Sequence, residues 1–231
     1  MTLATYTRQD YVIFYLYFMI TYLKKIKFKM FLLLSILVLF LLLPGLIFVY
    51  EQSSVLSGIK FTSKFQNSLI VNSSIMSFYL IPIFLCFFLN DLSKLKQNIK
   101  FITIAFILFS ILIFIFSNSF NYNYKLGGGF ILKLSMLLFD NFILFFISSA
   151  LGFVALAYLA KKNINNFIII FLLLFGYSAS WIFQKYFEPM FIFIFFLLIQ
   201  SQISFNFLKS YKNILLIYAY FVIYLASAIV N

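Results

Sequence analysis

Long uninterrupted apolar runs alternate with short polar segments along the 231 residues of this chain. A helix needs about 20 apolar residues to cross the hydrocarbon core of a bilayer, and seven of the eight runs are 17 residues or longer. The first run has only 13 residues and is the weakest candidate span. The pattern predicts an all-α fold, a polytopic transmembrane helical bundle of about eight spans. The predicted spans are 11–23, 30–50, 69–89, 101–117, 134–160, 167–183, 190–208 and 214–230.

Composition narrows the class of protein. Apolar residues make up 65% of the chain and charged residues 10%, whereas a soluble domain carries about 25% charged residues. These proportions exclude a disordered chain, a soluble enzyme and a secreted disulfide scaffold. We expect one transmembrane domain over 1–231, embedded in a lipid bilayer.

Two residue types limit the possible chemistry. Histidine is absent, which excludes histidine metal sites and Ser/Cys–His triads. Cys86 is the single cysteine, so a disulfide framework is excluded. We therefore expect no metal and no cofactor. The net charge of +12 is assigned to loops that face anionic lipid, and not to nucleic acid.

The distribution of lysines predicts the orientation. Of the 17 basic residues, eleven lie in one set of connections, formed by 24–29, 90–100, 161–166 and 209–213. The positive-inside rule places that set in the cytoplasm. The chain is then a multi-pass membrane protein with both termini extracytoplasmic, and most of its acidic residues lie near the outer side.

Two short polar segments on the predicted outer side are candidates for binding. Arg8, the only arginine, lies in Thr7-Arg8-Gln9-Asp10. Its guanidinium can bind a phosphate or carboxylate through two N–H donors. The alternative is an interfacial anchor paired with Asp10. Lys185 and Glu188 lie in 185–189, which either contacts a polar headgroup or is an ordinary hairpin between spans.

Two further features carry weaker signals. The run Gly127-Gly128-Gly129 lies in a predicted loop over 118–133, between Lys125 and Lys133. It is either a flexible loop or a place where backbone amides approach an anion. Asp140 lies inside a predicted span, where an ionisable group usually faces the bundle interior or a water-filled cavity, although near the end of a span it can snorkel to water.

These segments together resemble the C-terminal half of the C-type polytopic glycosyltransferases, which use polyprenyl- or dolichyl-phosphate sugars. Arg8-Gln9 after Thr7 resembles the Arg-Gln-Thr-Asn element of dolichyl-phosphoglucose-dependent alpha-1,2-glucosyltransferases. Lys185-Tyr186-x-x-Pro189 is similar to an Arg-Tyr-x-x-Pro element of lipid-linked sugar transferases, with lysine in place of arginine. The glycine-rich outer loop is also similar to that family's layout.

The resemblance implies inverting transfer of a sugar from a lipid phosphate, with cations holding the leaving phosphate. The resemblance implies that seven residues contact the substrate, and it identifies no catalytic base. Because no acidic residue precedes Arg8, it also implies that a catalytic amino-terminal half, or a partner subunit, is missing. The implied substrate-binding residues are Arg8, Gln9, Asp10, Lys125, Lys185, Tyr186 and Glu188.

The sequence is also compatible with two other functions. One is a small transporter or flippase for a lipid-linked or anionic solute, and the other is a non-catalytic membrane subunit. The glycosyltransferase hypothesis predicts an outward-facing cavity shared by Arg8, Lys185 and the 118–133 loop. Separations above about 20 Å, longer than one lipid-phosphate sugar, would reject it.

Overall fold

The structure is a computed structural model. The residues that it describes are 17–19, 21–22, 25–51, 65–118, 120, 122–123, 125, 127–161, 163–175, 182–188 and 190–230. Within these ranges all regular structure is helical. The α-helices are α1 (Phe28–Glu51), α2 (Phe65–Asn90), α3 (Leu92–Ser117), α4 (Gly129–Phe139), α5 (Ile143–Ala160), α6 (Ile164–Phe175), α7 (Met190–Phe193), α8 (Gln202–Leu208) and α9 (Tyr211–Val230). A 3₁₀ turn covers Gln184–Tyr186, and a π-helical segment, Ile194–Leu198, continues α7.

Three of the described helices are long and apolar enough to cross a membrane. They are Asn67–Asn90, Leu92–Ser117 and Ile143–Ala160. The all-α class is confirmed for the described residues, and the count of about eight spans stays a prediction. Helix α1 runs through Pro44, as expected for a proline near the end of an apolar helix.

Helix α2 lies at the centre of the bundle. In its most apolar stretch 89% of the residues are buried inside the fold, against 17% in the corresponding stretch of α3. Its polar residues are buried as well, because neighbouring helices surround it on all sides. The buried polar residues of α2 are Asn67, Ser68, Asn72, Ser73, Ser74 and Ser77.

Small residues allow α2 and α5 to approach closely. A Cβ atom on Gly152 would lie 2.0 Å from the carbonyl oxygen of Ser73, so this contact excludes any side chain. The Ser149 hydroxyl donates to the Ile70 carbonyl at 2.7 Å, and the Ser148 hydroxyl donates to Ser77 Oγ at 3.0 Å. Close backbones and interhelical hydrogen bonds are what stabilise helix pairs in lipid, where burial of apolar surface gives little driving force.

The predicted span over 134–160 is wrong in one respect, because it is broken at Asp140. This residue ends α4 in the left-handed region, with φ of 50°, and is exposed. The Ser135 hydroxyl donates to the Asn141 carbonyl at 2.6 Å, and the Phe145 amide donates to Ser135 Oγ at 3.3 Å. These bonds satisfy the backbone at the break, so an uninterrupted apolar sequence can turn here. Asp140 therefore does not line the bundle interior.

The predicted span over 190–208 is also interrupted, at residues 199–201. Non-helical backbone inside a membrane protein must find hydrogen-bond partners within the protein. Asn166 supplies them: its Oδ1 accepts from the Gln200 amide at 2.9 Å, and its Nδ2 donates to the Gln200 carbonyl at 2.9 Å. Ser201 begins α8 as its N-cap, accepting from the Ser204 amide at 3.1 Å.

Two predicted connections are shorter than expected. The lysine-bearing segment 90–100 is mostly helical, because α3 begins at Leu92, directly after Asp91. Asp91 forms an ion pair with Lys94 at 3.1 Å. The predicted loop over 118–133 ends where α4 begins at Gly129.

Candidate functional site

The glycine-rich segment and the 182–188 segment, far apart in sequence, contact each other in the bundle. The Gly128 amide donates to the Ile182 carbonyl at 2.8 Å, and the Ile182 amide donates to the Tyr122 hydroxyl at 2.6 Å. The Phe130 amide, at the start of α4, donates to Gln184 Oε1 at 2.8 Å. We call these two contacting segments, residues 122–130 and 182–188, the paired segments.

The three glycines are required by close packing. Gly128 and Gly129 have φ of 86° and 81°, a region that favours glycine. A Cβ on Gly129 would lie 2.8 Å from a side-chain carbon of Ile75, and one on Gly127 would lie 2.9 Å from the Ile182 carbonyl oxygen. Because the Gly128 amide already donates within the protein, it is not available to an anion. The run is a close-packed corner, which corrects the interpretation as a flexible loop.

Glu188 lies where the second of the paired segments meets α2. Its carboxylate accepts a hydrogen bond from the Tyr79 hydroxyl and one from Gln184 Nε2 at 3.2 Å, both on Oε1. Gln184 therefore contacts both the carboxylate, through its amide nitrogen, and the start of α4, through its amide oxygen. Glu188 is half-buried, and within the described part of the chain its hydrogen bonds leave Oε2 to accept from another group.

The depth of this carboxylate follows from its contact on α2. Tyr79 lies eleven residues before Asn90, the end of α2, which places it about 16 Å along the helix at ~1.5 Å per residue. Ile75, which contacts Gly129, lies a further turn from that end. The paired segments therefore reach about the middle of α2, whereas the sequence predicted surface connections. An ionisable group inside a membrane-spanning bundle usually marks a substrate or ion pathway, which makes Glu188 a candidate functional residue.

Aromatic rings surround the carboxylate on the α2 and α9 side. Tyr79 lies 5.6 Å from Phe191, and Tyr224 lies 5.1 Å from Phe130, measured between ring centroids. The Tyr220 hydroxyl donates to the Phe78 carbonyl at 3.0 Å, which fixes α9 against α2. These contacts hold α9, α2 and α4 together around Glu188.

Three of the predicted substrate-binding side chains lie on the paired segments. Glu188 belongs to the hydrogen-bonded cluster, and Lys185 is exposed on the preceding turn, with Nζ 5.2 Å from the Phe183 ring centroid. Lys125 is exposed in the other paired segment, where its amide donates to Asn123 Oδ1 at 3.0 Å.

Other predicted residues lie beyond the part of the chain that the structure describes. Arg8, Gln9 and Asp10 lie outside the described residues, as do Pro189 and the side chain of Tyr186. The predicted cavity between Arg8, Lys185 and the 118–133 loop therefore stays a prediction.

Sequence reasoning missed two members of the cluster, Tyr79 and Gln184. Tyr79 lies in an apolar run among many aromatic residues, so nothing in its neighbourhood distinguishes it. Gln184 directly precedes Lys185 and could have been included with the polar segment. Its contact with α4 is long-range and leaves no local pattern.

Comparison of the chain with protein-family models, with curated proteins and with solved structures gives no match. Function is therefore inferred from the residues and contacts of this chain.

Proposed function

We propose that the chain is a multi-pass membrane glycosyltransferase, or the C-terminal part of one. It binds a polyprenyl- or dolichyl-phosphate sugar at the paired segments and transfers the sugar on the extracytoplasmic side. Both termini are extracytoplasmic in this proposal. The single observation that supports it is the meeting of the glycine-rich segment with 182–188 around the half-buried Glu188.

Each group at the paired segments has a role that suits such a donor. Lys125 and Lys185 are exposed cations that contact the lipid phosphate. Glu188 Oε2 accepts hydrogen bonds from sugar hydroxyls, while the Tyr79 hydroxyl and Gln184 hold the carboxylate in place. Arg8, Gln9, Asp10 and Tyr186 complete the proposed substrate contacts. No catalytic base is assigned, so the acceptor hydroxyl is activated by a residue beyond this cluster or on a partner subunit.

The paired segments lie away from the lysine-rich end of the bundle, which supports the proposed orientation. Asn90 Nδ2 donates to Asn213 Oδ1 at 3.4 Å, so the end of α2 meets the start of α9 beside Lys94 and Lys212. The positive-inside rule makes that end cytoplasmic. Tyr79, which donates to the Glu188 carboxylate, lies about 16 Å from that end along α2, at ~1.5 Å per residue.

The test is a binding measurement on the full chain in nanodiscs, with dolichyl-phosphate glucose and dolichyl phosphate as separate probes. Lys185→Gln should weaken the binding of both probes by about tenfold, which is the smallest effect expected when a hydrogen bond to a charged group is lost. Glu188→Gln keeps a side-chain oxygen that can accept from the Tyr79 hydroxyl. This variant should weaken the binding of dolichyl-phosphate glucose and leave the binding of dolichyl phosphate unchanged. Lys133→Gln, an exposed lysine on α4, is the matched control. Equal binding by the Lys185 and Lys133 variants would refute the proposal.

A transporter or flippase is the second candidate, and specific observations favour it. The carboxylate of Glu188 contacts Tyr79 near the middle of α2, and the 190–208 segment is broken at 199–201. Discontinuous helices recur in transporter folds. Proteoliposomes that hold a fluorescent lipid-phosphate sugar distinguish the two functions. A transporter exposes inner-leaflet probe to a membrane-impermeant quencher, whereas a glycosyltransferase consumes the donor only when an acceptor is present.

A further inference from the structure

An apolar groove lies between α5, α6 and the start of α3, away from the paired segments. Its volume is about 800 Å³, within the ~300–1,000 Å³ typical of sites for small molecules. Phenylalanine, isoleucine, leucine and alanine side chains make up most of its wall. Phe153 and Ala157 line it on α5, and Phe167, Phe171 and Phe175 line it on α6.

One end of the groove is charged. Lys161, which follows α5, is the single charged residue among the described residues that line the groove. It is exposed, and its Nζ lies 4.6 Å from the centroid of the Phe101 ring, which lines the same end. A cation over an aromatic face is held near the groove by that ring and can still contact an anion from the solvent side. The groove is thus apolar along its length and cationic at its mouth.

The length of the groove matches one leaflet of a bilayer. Its α6 wall runs from Ile164 to Phe175, about 16 Å at ~1.5 Å of rise per residue. Half of a hydrocarbon core of about 30 Å is about 15 Å. Exposed Phe167 and Phe171 on this wall make the groove open sideways, toward lipid in a membrane-embedded bundle. A chain that enters at Lys161 can therefore lie along the groove over the depth of a leaflet.

We propose that this groove is a binding site for an anionic phospholipid. One acyl chain lies between α5 and α6, and the phosphate contacts Lys161. The lysine-rich end of the bundle, predicted to be cytoplasmic, faces the leaflet in which anionic lipids are concentrated. The site does not depend on the sugar donor proposed above, because it shares no residue with the paired segments.

The test uses the 231-residue chain in nanodiscs of phosphatidylcholine with and without phosphatidylglycerol. Native mass spectrometry counts retained lipids, and titration gives the affinity for phosphatidylglycerol. Lys161→Gln should weaken that affinity about fivefold, the effect expected from one lysine near an anionic surface. The matched control is Lys209→Gln, since Lys209 is also exposed and lies over a ring, with Nζ 4.0 Å from the Phe205 centroid.

A second variant tests the groove itself. Ala157→Phe places a ring in the groove and leaves Lys161 in place, so it should abolish the retained lipid while thermal unfolding without added lipid changes little. The proposal is overturned if Lys161→Gln binds phosphatidylglycerol as well as Lys209→Gln does, or if Ala157→Phe retains the lipid. A dimer of this chain that occludes the groove would overturn it as well.

Discussion

Replacing Asn166 by leucine tests how the broken segment around Gln200 is stabilised. The Asn166 side chain is 1% exposed and makes three hydrogen bonds to backbone groups. Two of them join the backbone N–H and the backbone carbonyl of Gln200. The third is a 3.0 Å bond from Nδ2 to the Leu159 carbonyl, in the last turn of α5. Leucine has a similar shape and volume but removes all three bonds.

The magnitude follows from the number of bonds and from burial. Interhelical hydrogen bonds in membrane proteins average about 0.6 kcal/mol each, which gives about 2 kcal/mol for three. Leaving a buried backbone group without a partner costs about 1–3 kcal/mol. The bond to the Leu159 carbonyl is buried, whereas Gln200 is exposed, so the cost of an unpartnered group falls on Leu159. We expect the Asn166→Leu variant to lose about 2–5 kcal/mol of unfolding free energy.

The assay is reversible unfolding in mixed micelles, in which dodecyl sulfate is titrated into a mild detergent and helix content is followed by far-ultraviolet circular dichroism. Asn165→Leu is the matched control, because Asn165 is half-buried on the same helix and its side chain makes no hydrogen bond within the described chain. The control should lie within about 0.5 kcal/mol of the parent protein. If Asn166→Leu loses no more than Asn165→Leu, the amide of Asn166 does not stabilise the break.

Three other substitutions test separate contacts. Gly152→Ala places a Cβ 2.0 Å from the Ser73 carbonyl oxygen and should lower the unfolding free energy by about 1–3 kcal/mol, so an unchanged value would mean that α2 and α5 are not so close. Gly128→Ala, at φ of 86°, should cost about 1–2 kcal/mol in the same assay from the left-handed backbone alone, and a stabilised variant would contradict this conformation. Hydrogen bonds from Ser93 and Lys94 hold the pKa of Asp91 below its usual value, so its contribution to stability is present above the ordinary carboxyl pKa and is lost as the pH falls through the lowered value. Ser93→Ala should raise that pKa toward the ordinary value in a carbon-13 NMR titration, and no change would show that the serine bond is absent.

Several features of the candidate site could be predicted from local patterns. Three features depart from the apolar composition around them and can be recognised for that reason. They are the polar segment that begins at Gln184, the glycine run and the isolated lysines. The pairing of Glu188 with Tyr79 could not be predicted, since the two residues are 109 positions apart. Tyrosine is common in this chain, with 16 copies, so its presence in a span carries little information.

The two interrupted spans show where apolar patterning is insufficient. A run of apolar residues indicates that a segment is kept away from water. The same run occurs in a continuous helix and in a helix that is interrupted and stabilised by side-chain hydrogen bonds. The break at Asp140 depends on Ser135, and the break at 199–201 depends on Asn166, which comes from another helix. Neither bond leaves a periodic signal in the segment that it interrupts.

The sequence by itself determined the helical, apolar character of the chain and the clustering of lysines in one set of connections, because both follow from local composition. Only the tertiary structure decided that α2 is central, that the glycine run is a packed corner, and that Glu188 is held at the middle of α2. Those features depend on contacts between residues far apart in the chain. The physical reason is that hydrogen bonds and close backbone approach are short-range in space, whereas hydrophobic patterning is short-range in sequence.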